Sequence, residues 1–374
     1  MKGDLLPKNK SQVCLLRSAG GCDDPSAMQL NYDTFGDKQD PAVLLIMGLA
    51  SQKVRFPTSF CQKLASEGHF VIRFDNRDVG RSARAVTDVS RRWATFGMAV
   101  HVVLVHILRE WRKPLFALWI VLLIQTWLHG CLQRYILLFL GWLIALWTAG
   151  RYRPKVSYSV EDLAGDALEL LDALQISKAH LVGFSLGGMI SQSIAHYHPE
   201  RVASLCLVST CSPNARILWN PGPWPFLNIL IRSGLCLVPG APIHKRSQGS
   251  RDWWMYASSP GQDGAQEKLA VQEHARSSQD GDAFLRQVFS ILDFCSGDAR
   301  WAPPEAPAKP MHAFVIHGLR DNVVPVSYGL ELAERLNCKC VVLPNIAHDS
   351  FPAAQDDILA VLTAHLSRSV TQEL

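Results

Sequence analysis

Residues Ala179–Pro199 read AHLVGFSLGGMISQSIAHYHP. The first six are apolar or neutral, a length suited to a buried parallel strand. Ser185 follows, between Gly183 and Gly187, in a G-x-S-x-G pattern. Met189, Ile190, Ile194 and Ala195 then recur at helical spacing, and Pro199 marks where that helix has already ended. The expected order is strand, sharp turn, helix. A serine on such a turn is held in a strained conformation with its hydroxyl lifted clear of the sheet. The flanking glycines leave room where a Cβ would strike the neighbouring strand or helix.

Working outward, the same alternation extends along the chain. Ala27–Phe35 reads as a strand, and so do Ala42–Met47 (AVLLIM) and Phe70–Phe74 (FVIRF), with an amphipathic helix over Pro57–Ser66 between the last two. After a long interruption, Ser159–Leu174 reads as a helix with a capping start at Ser159 and an apolar face of Leu163, Ala167, Leu170, Leu171 and Leu174. Another strand falls within Arg201–Thr210. Residues 211–300 lose the strand–helix beat, are rich in proline and tryptophan, and read as a helical cap. The beat resumes with a strand at His312–His317, a helix at Val326–Leu336, a strand at Lys339–Leu343 and a final helix from Ala353 to Ser367. Strands alternating with helices predict a mostly parallel sheet covered on both faces, an α/β fold. The first 26 residues are polar and turn-rich, lack the apolar core of a signal peptide, and are expected to be a flexible lead-in.

The interruption, residues 87–155, carries most of the compositional anomaly. The chain of 374 residues is 48% hydrophobic with a net charge of +4. Its mean hydropathy of +0.07 is high for an enzyme in water. Three apolar blocks, Trp93–Leu108, Pro114–Leu132 and Tyr135–Gly150, sit among Arg91, Arg92, Arg109, Arg112, Lys113, Arg134, Arg151, Arg153 and Lys155, and over residues 91–155 Glu110 is the one acid. The basic excess of the whole chain therefore belongs to this segment. No aromatic-and-basic motif accompanies it, so a nucleic-acid partner is not expected.

Two readings of the segment stand: an apolar helical hairpin in a membrane, which the charge placement favours, and a helical lid over an active site. If the strands on either side share one sheet, the chain crosses a bilayer zero or two times. A hairpin of 114–132 and 135–150 satisfies that and gathers the basic flanks on the cytoplasmic side. The third block reaches only about 24 Å against a hydrocarbon core of about 30 Å. A hairpin dipping into one leaflet, with a basic collar on anionic headgroups, fits as well as a full span. The ten cysteines are scattered, with no C-x-x-C pair and no metal-ligand spacing, as expected of reduced thiols in a cytosolic chain.

The order of motifs now matters: a Gly48 turn after the AVLLIM strand, the loop Asp75–Ser82, GFSLGG around Ser185, HGLRD at 317–321 and AHD at 347–349. This set resembles the α/β-hydrolase fold superfamily. The segments LLIMGL, VIRFDNRDVGRS and GFSLGGMISQ are similar to the branch of aclacinomycin methylesterase-type and proline-iminopeptidase-like serine hydrolases. The resemblance covers roughly 27–85 and 156–367 and leaves the apolar insertion out. It implies an α/β-hydrolase core from residues 27–86, 156–210 and 301–374, with the insertion at 87–155 and the cap at 211–300.

The chemistry can be argued beside that resemblance. A serine hydroxyl is a weak nucleophile until a base lies within hydrogen-bond reach, with that base oriented by a third group. On this kind of sheet the chain order is nucleophile, acid, histidine. Ser185 is the expected nucleophile, Asp321 the acid following a strand and a glycine, and His348 the base in the loop after the last strand. Asp349 is a weaker candidate acid. The oxyanion hole is expected from the backbone N–H of Leu186 and that of Leu49 in the Gly48–Leu49 turn. Met47 stands where a histidine commonly opens that turn, which backbone donors do not require.

The expected function is a membrane-associated serine hydrolase cleaving a carboxylic ester, with a lipophilic acyl group suggested by the insertion. Membrane lipids would be met through 93–150, with the catalytic domain on the cytoplasmic side. Two other readings are an aminopeptidase-like hydrolase, which needs a cap carboxylate for a substrate amine, and a catalytically silent membrane-anchored binding protein. No metal or organic cofactor is implied.

Overall fold

The computed structural model describes residues 12–15, 29–83, 158–213, 259, 268–269, 272–273, 276, 281–295 and 312–371. The chain divides into two units, Met1–Val86 with Val156–Leu374, and Thr87–Lys155; every described residue belongs to the first. The apolar insertion and most of the cap lie outside the described residues. Among the described residues, no helix is long and apolar enough to cross a membrane.

Eight strands form one sheet: β1 Gln12–Leu15, β2 Gln29–Phe35, β3 Ala42–Ile46, β4 Phe70–Phe74, β5 Ala179–Phe184, β6 Val202–Val208, β7 Ala313–Gly318 and β8 Lys339–Leu343. Their spatial order is β1-β2-β4-β3-β5-β6-β7-β8. The first two pairings, β1–β2 and β2–β4, are antiparallel, and all the others are parallel. β3 and β5 lie side by side at the centre, with Leu45 opposite Val182 and Ile46 opposite Gly183. This register brings the Gly48 turn and the serine turn out at the same edge of the sheet.

Why the central strands read as unbroken apolar runs is clear from the core. Successive side chains point to opposite faces. Leu44 and Ile46 join Ile72, Leu181, Leu205 and Leu207 in one hydrophobic cluster, while Val43 and Leu45 join Val71, Val182, Cys206 and Val208 in a second. Over the first face pack α2 (Val160–Ala173), α3 (Leu186–Tyr197) and α5 (Val326–Arg335), contributing Leu170, Ile190 and Leu332. Over the second pack α1 (Thr58–Ser66) and α6 (Phe351–Thr371), contributing Phe60, Leu64, Ile358 and Leu362. One cap helix, α4 (Gly281–Phe294), is also described.

Helix α2 starts with the capping arrangement its sequence suggests. Ser159 Oγ accepts from Asp162 N–H at 3.3 Å, and Asp162 Oδ2 accepts from Ser159 N–H at 2.7 Å.

The lead-in over residues 1–26 needs a correction. Gln12–Leu15 within it is a strand, paired antiparallel with β2 at the sheet edge. Cys14 is buried while Val13 is 57% exposed, so only one face of this strand meets the core. Four residues are too few for a period-2 pattern to register. The pairing is held by the ladder and by two side-chain contacts with Gln12: Asn31 Nδ2 donates to its carbonyl at 3.1 Å and Tyr32 Oη to its Oε1 at 2.9 Å.

Candidate active site

The turn between β5 and α3 places Ser185 at φ 53° and ψ −116°, a region that a residue with a Cβ avoids unless its surroundings enforce it. Here they do. Ser185 N–H donates to Val208 O at 2.9 Å, while Ser185 O accepts from Thr210 Oγ1 at 2.7 Å and from Gly188 N–H at 2.9 Å. The close approach of α3 to β3 explains one glycine of the pattern. A Cβ on Gly187 would lie 1.9 Å from the backbone oxygen of Ile46.

Two loops at the same sheet edge reach toward Ser185. The β8–α6 loop carries His348, whose Nε2 lies 3.1 Å from Ser185 Oγ. The β7–α5 loop carries Asp321, whose Oδ2 lies 2.8 Å from His348 Nδ1. All three side chains are buried. The other oxygen of Asp321 accepts from Val323 N–H at 2.9 Å and Val324 N–H at 2.7 Å, which fixes the carboxylate plane. A second histidine stands behind the acid. His317, fully buried, sets its Nε2 2.7 Å from Val324 O and 3.3 Å from Asp321 Oδ2. Burial by itself would raise the Asp321 pKa. The charge of His348 and hydrogen bonds from His317 and His348 outweigh it, and the carboxyl is held at about 2.

Asp349 is placed elsewhere. Its Oδ2 accepts from Arg55 Nη1 at 2.8 Å, so it braces a different group. Arg55 also makes two bonds to Glu273 of the cap, Nε to Oε1 at 3.0 Å and Nη2 to Oε2 at 2.9 Å. The Asp75–Ser82 loop is likewise structural: Asp75 accepts from Lys53 N–H and from Arg276, Asp78 from Arg286, and Asp166 from Arg77.

The two expected oxyanion donors flank the serine. Leu186 is the first residue of α3, and the first N–H groups of a helix have no acceptor within it. Leu49 belongs to the turn after β3. Gly48 abuts the nucleophile so closely that a Cβ there would lie 3.0 Å from Ser185 Cβ. Ser185, His348, Asp321 and the Gly48–Leu49 turn thus meet at one edge of the sheet. Such an arrangement can deprotonate a hydroxyl as it attacks a carbonyl and can hold the resulting oxyanion.

Sequence reading did not find Arg55, Glu273, Gln287 or His317. Arg55, Glu273 and Gln287 lie in stretches without motif signal and meet partners remote in the chain, whereas His317 stands inside the HGLRD stretch, four positions before the acid it contacts. Among the described residues, no group of three or more His, Cys, Asp or Glu side chains could hold a metal ion.

Comparison with known proteins defines the class. The alpha/beta hydrolase fold family model matches residues 41–233, more than half the chain, and the protein belongs to that family. Its relatives include rhodomycin D methylesterase DauP of Streptomyces sp. (strain C5), 29% identical over 174 residues, which are 46% of this chain and 36% of that protein. The match thus spans about a third of the length of that relative. Among solved structures, the enol-lactonase from Burkholderia xenovorans LB400 is similar at a TM-score of 0.58 and 18% identity, covering 91% of this chain and 97% of that one. A thermophilic esterase from Thermogutta terrifontis is similar at 0.60 and 14%, covering 96% and 99%. At these identities the structures speak for the fold alone.

Proposed function

We propose that this α/β hydrolase is a serine hydrolase that cleaves a carboxylic ester through an acyl-enzyme on Ser185. The observation that carries the reading is the single imidazole of His348, in hydrogen-bond reach of Ser185 through one nitrogen and of Asp321 through the other. The relative named a methylesterase supports ester chemistry.

In this reading Ser185 Oγ attacks the ester carbonyl carbon while His348 Nε2 takes its proton. The carbonyl π electrons move to oxygen, and the oxyanion is bound by Leu186 N–H and Leu49 N–H. Asp321 keeps the proton on Nδ1 of His348 and stabilises the imidazolium. The intermediate collapses and the C–O bond to the alcohol breaks. His348 returns its proton to the leaving oxygen. Water then attacks the acyl carbon, gives its proton to His348, and the acid leaves as Ser185 recovers its hydrogen. The aminopeptidase reading needs a cap carboxylate open to a substrate amine, whereas Glu273, a buried carboxylate of the described cap, is occupied by Arg55 and Gln52.

The 93–150 segment, in the same proposal, holds the protein on a membrane with the catalytic unit on the cytoplasmic side, and the acyl group is lipophilic. Support comes from the apolar blocks and their basic flanks. The test has two arms. A p-nitrophenyl ester should give a burst of one p-nitrophenol per enzyme, with the acyl mass on the peptide holding Ser185; hydrolysis that continues at the wild-type rate in a Ser185→Ala variant contradicts the acyl-enzyme. Alkaline carbonate should leave the protein in the membrane pellet and release a variant lacking 93–150; release of the intact chain by salt alone contradicts the membrane hairpin.

A further inference from the structure

The turn that carries Leu49 is bound from several sides. Asn76 Nδ2 donates to Met47 O at 2.9 Å, Ser51 N–H to Gly48 O at 3.3 Å and Ser51 Oγ to Leu49 O at 2.8 Å. The next N–H, that of Ala50, donates to Oε1 of Gln287 at 2.7 Å. Gln287 is 237 positions away, on cap helix α4, and 1% exposed. Its amide is held at the other end as well, since Nε2 donates to Arg77 O at 3.1 Å. An N–H on one side and a carbonyl on the other admit a single orientation of the amide. The neighbouring Arg286 anchors the helix by two bonds to Asp78, at 2.7 Å and 2.8 Å.

Ala50 also has φ 54°, the left-handed region that a Cβ disfavours. A conformation of that kind persists only where its surroundings over-determine it. Leu49 N–H lies in the Gly48–Leu49 peptide plane, and the next plane, Leu49–Ala50, is joined to it at the Leu49 Cα, so fixing both planes fixes where that N–H points. The Gly48–Leu49 plane is held through Gly48 O. The Leu49–Ala50 plane is held through Leu49 O by Ser51 and through Ala50 N–H by Gln287.

We propose that Gln287 is a positioning residue for the oxyanion-donor turn: from the cap, it holds the Leu49–Ala50 peptide so that Leu49 N–H faces the carbonyl oxygen of a substrate at Ser185. The inference rests on the ester-hydrolase reading for its chemistry, and on the hydrogen bonds alone for its mechanics. Without Gln287 the buried Ala50 N–H lacks that acceptor and the peptide turns to find another. The cap thereby acts on transition-state stabilisation.

The test uses the full-length, detergent-solubilised protein and three forms: wild type, Gln287→Met, which keeps the length and removes both polar contacts, and Gln287→Glu, which keeps an acceptor for Ala50 N–H. Gln287→Met should lower kcat for p-nitrophenyl butyrate by about 10- to 100-fold with KM changed less than about twofold, as for a weakened oxyanion contact. A butyl trifluoromethyl ketone, which becomes a tetrahedral oxyanion on Ser185, should weaken by the same factor, and Gln287→Glu should recover most of both. Hydrogen exchange in the peptide covering 46–53 should quicken in Gln287→Met and not in Gln287→Glu. Unchanged exchange in Gln287→Met overturns the proposal whatever the activity. So does quickened exchange with kcat at the wild-type level. If the wild type cleaves no ester yet exchange at 46–53 still responds, the ester reading fails while the hold of Gln287 on the turn stands.

Discussion

His348 Nε2 lies 3.1 Å from Ser185 Oγ although 163 positions separate the two residues. The contact requires strands β5 and β8 to end at the same sheet edge with β6 and β7 between them. It also requires the ring to be turned, which Asp321 does from the far side at 2.8 Å. Replacing Asp321 by Asn keeps the shape but offers an amide that favours the wrong imidazole tautomer. On the proposed mechanism, kcat for a p-nitrophenyl ester at neutral pH should fall by about 10⁴-fold in the folded variant.

Stability should respond to acid through the same carboxylate. The folded pKa of Asp321 is depressed to about 2 from an ordinary 3.8. A depressed acid contributes stability that is present above its unfolded pKa and is lost as the pH falls through the folded one. The Asp321 contribution should therefore be complete above about pH 5 and fade toward about pH 2. Urea midpoints of wild type and Asp321→Asn should converge across that window; a gap that stays constant would contradict the assignment.

Gly187 is a further point of leverage. A Cβ there meets backbone, the oxygen of Ile46 at 1.9 Å, so no side-chain rotation relieves the clash. Gly187→Ala must push α3 away from β3 and carry Ser185 with it. A displacement of about 1 Å at a catalytic group costs about 100-fold in rate. The ester hydrolysis rate of the folded variant, checked by circular dichroism, should fall by that order.

Arg55 joins Glu273 and Asp349 in a cluster with all three side chains buried. Removing the cation leaves two carboxylates without their partner. Arg55→Ala should destabilise the protein by about 3–5 kcal/mol, read from urea unfolding. The Arg55→Met change is expected to do nearly the same, because the uncompensated charges remain.

The thiols are expected to be inert. Burial pushes Cys61 and Cys206 up to about 12, and Cys338 to about 11. Thiolate is the reactive form, so iodoacetamide at neutral pH should leave these three unmodified by mass spectrometry and leave hydrolysis unimpaired.

Much of this was readable from the chain, for a physical reason. Strand β5 is buried on both faces, so its six residues form an uninterrupted run that periodicity detects. The serine turn needs glycine where the backbone approaches β3, and glycine is visible in a sequence. Asp321 and His348 follow strands whose C-terminal ends converge, so topology alone brings them together. The edge strand β1 was not legible: its four residues owe their conformation to pairing with β2. Gln287 and Glu273 were illegible for a different reason. Their partners, Ala50 and Arg55, are 237 and 218 positions away, and a glutamine or glutamate in a helical cap carries no mark of a buried contact.

Activation of Ser185 as a nucleophile can be read by labelling with a fluorophosphonate probe in detergent, wild type beside Ser185→Ala. The wild type should label stoichiometrically on the peptide containing Ser185, and the variant not at all. A well-folded wild type that takes no label, or a Ser185→Ala variant that takes as much, would contradict that activation.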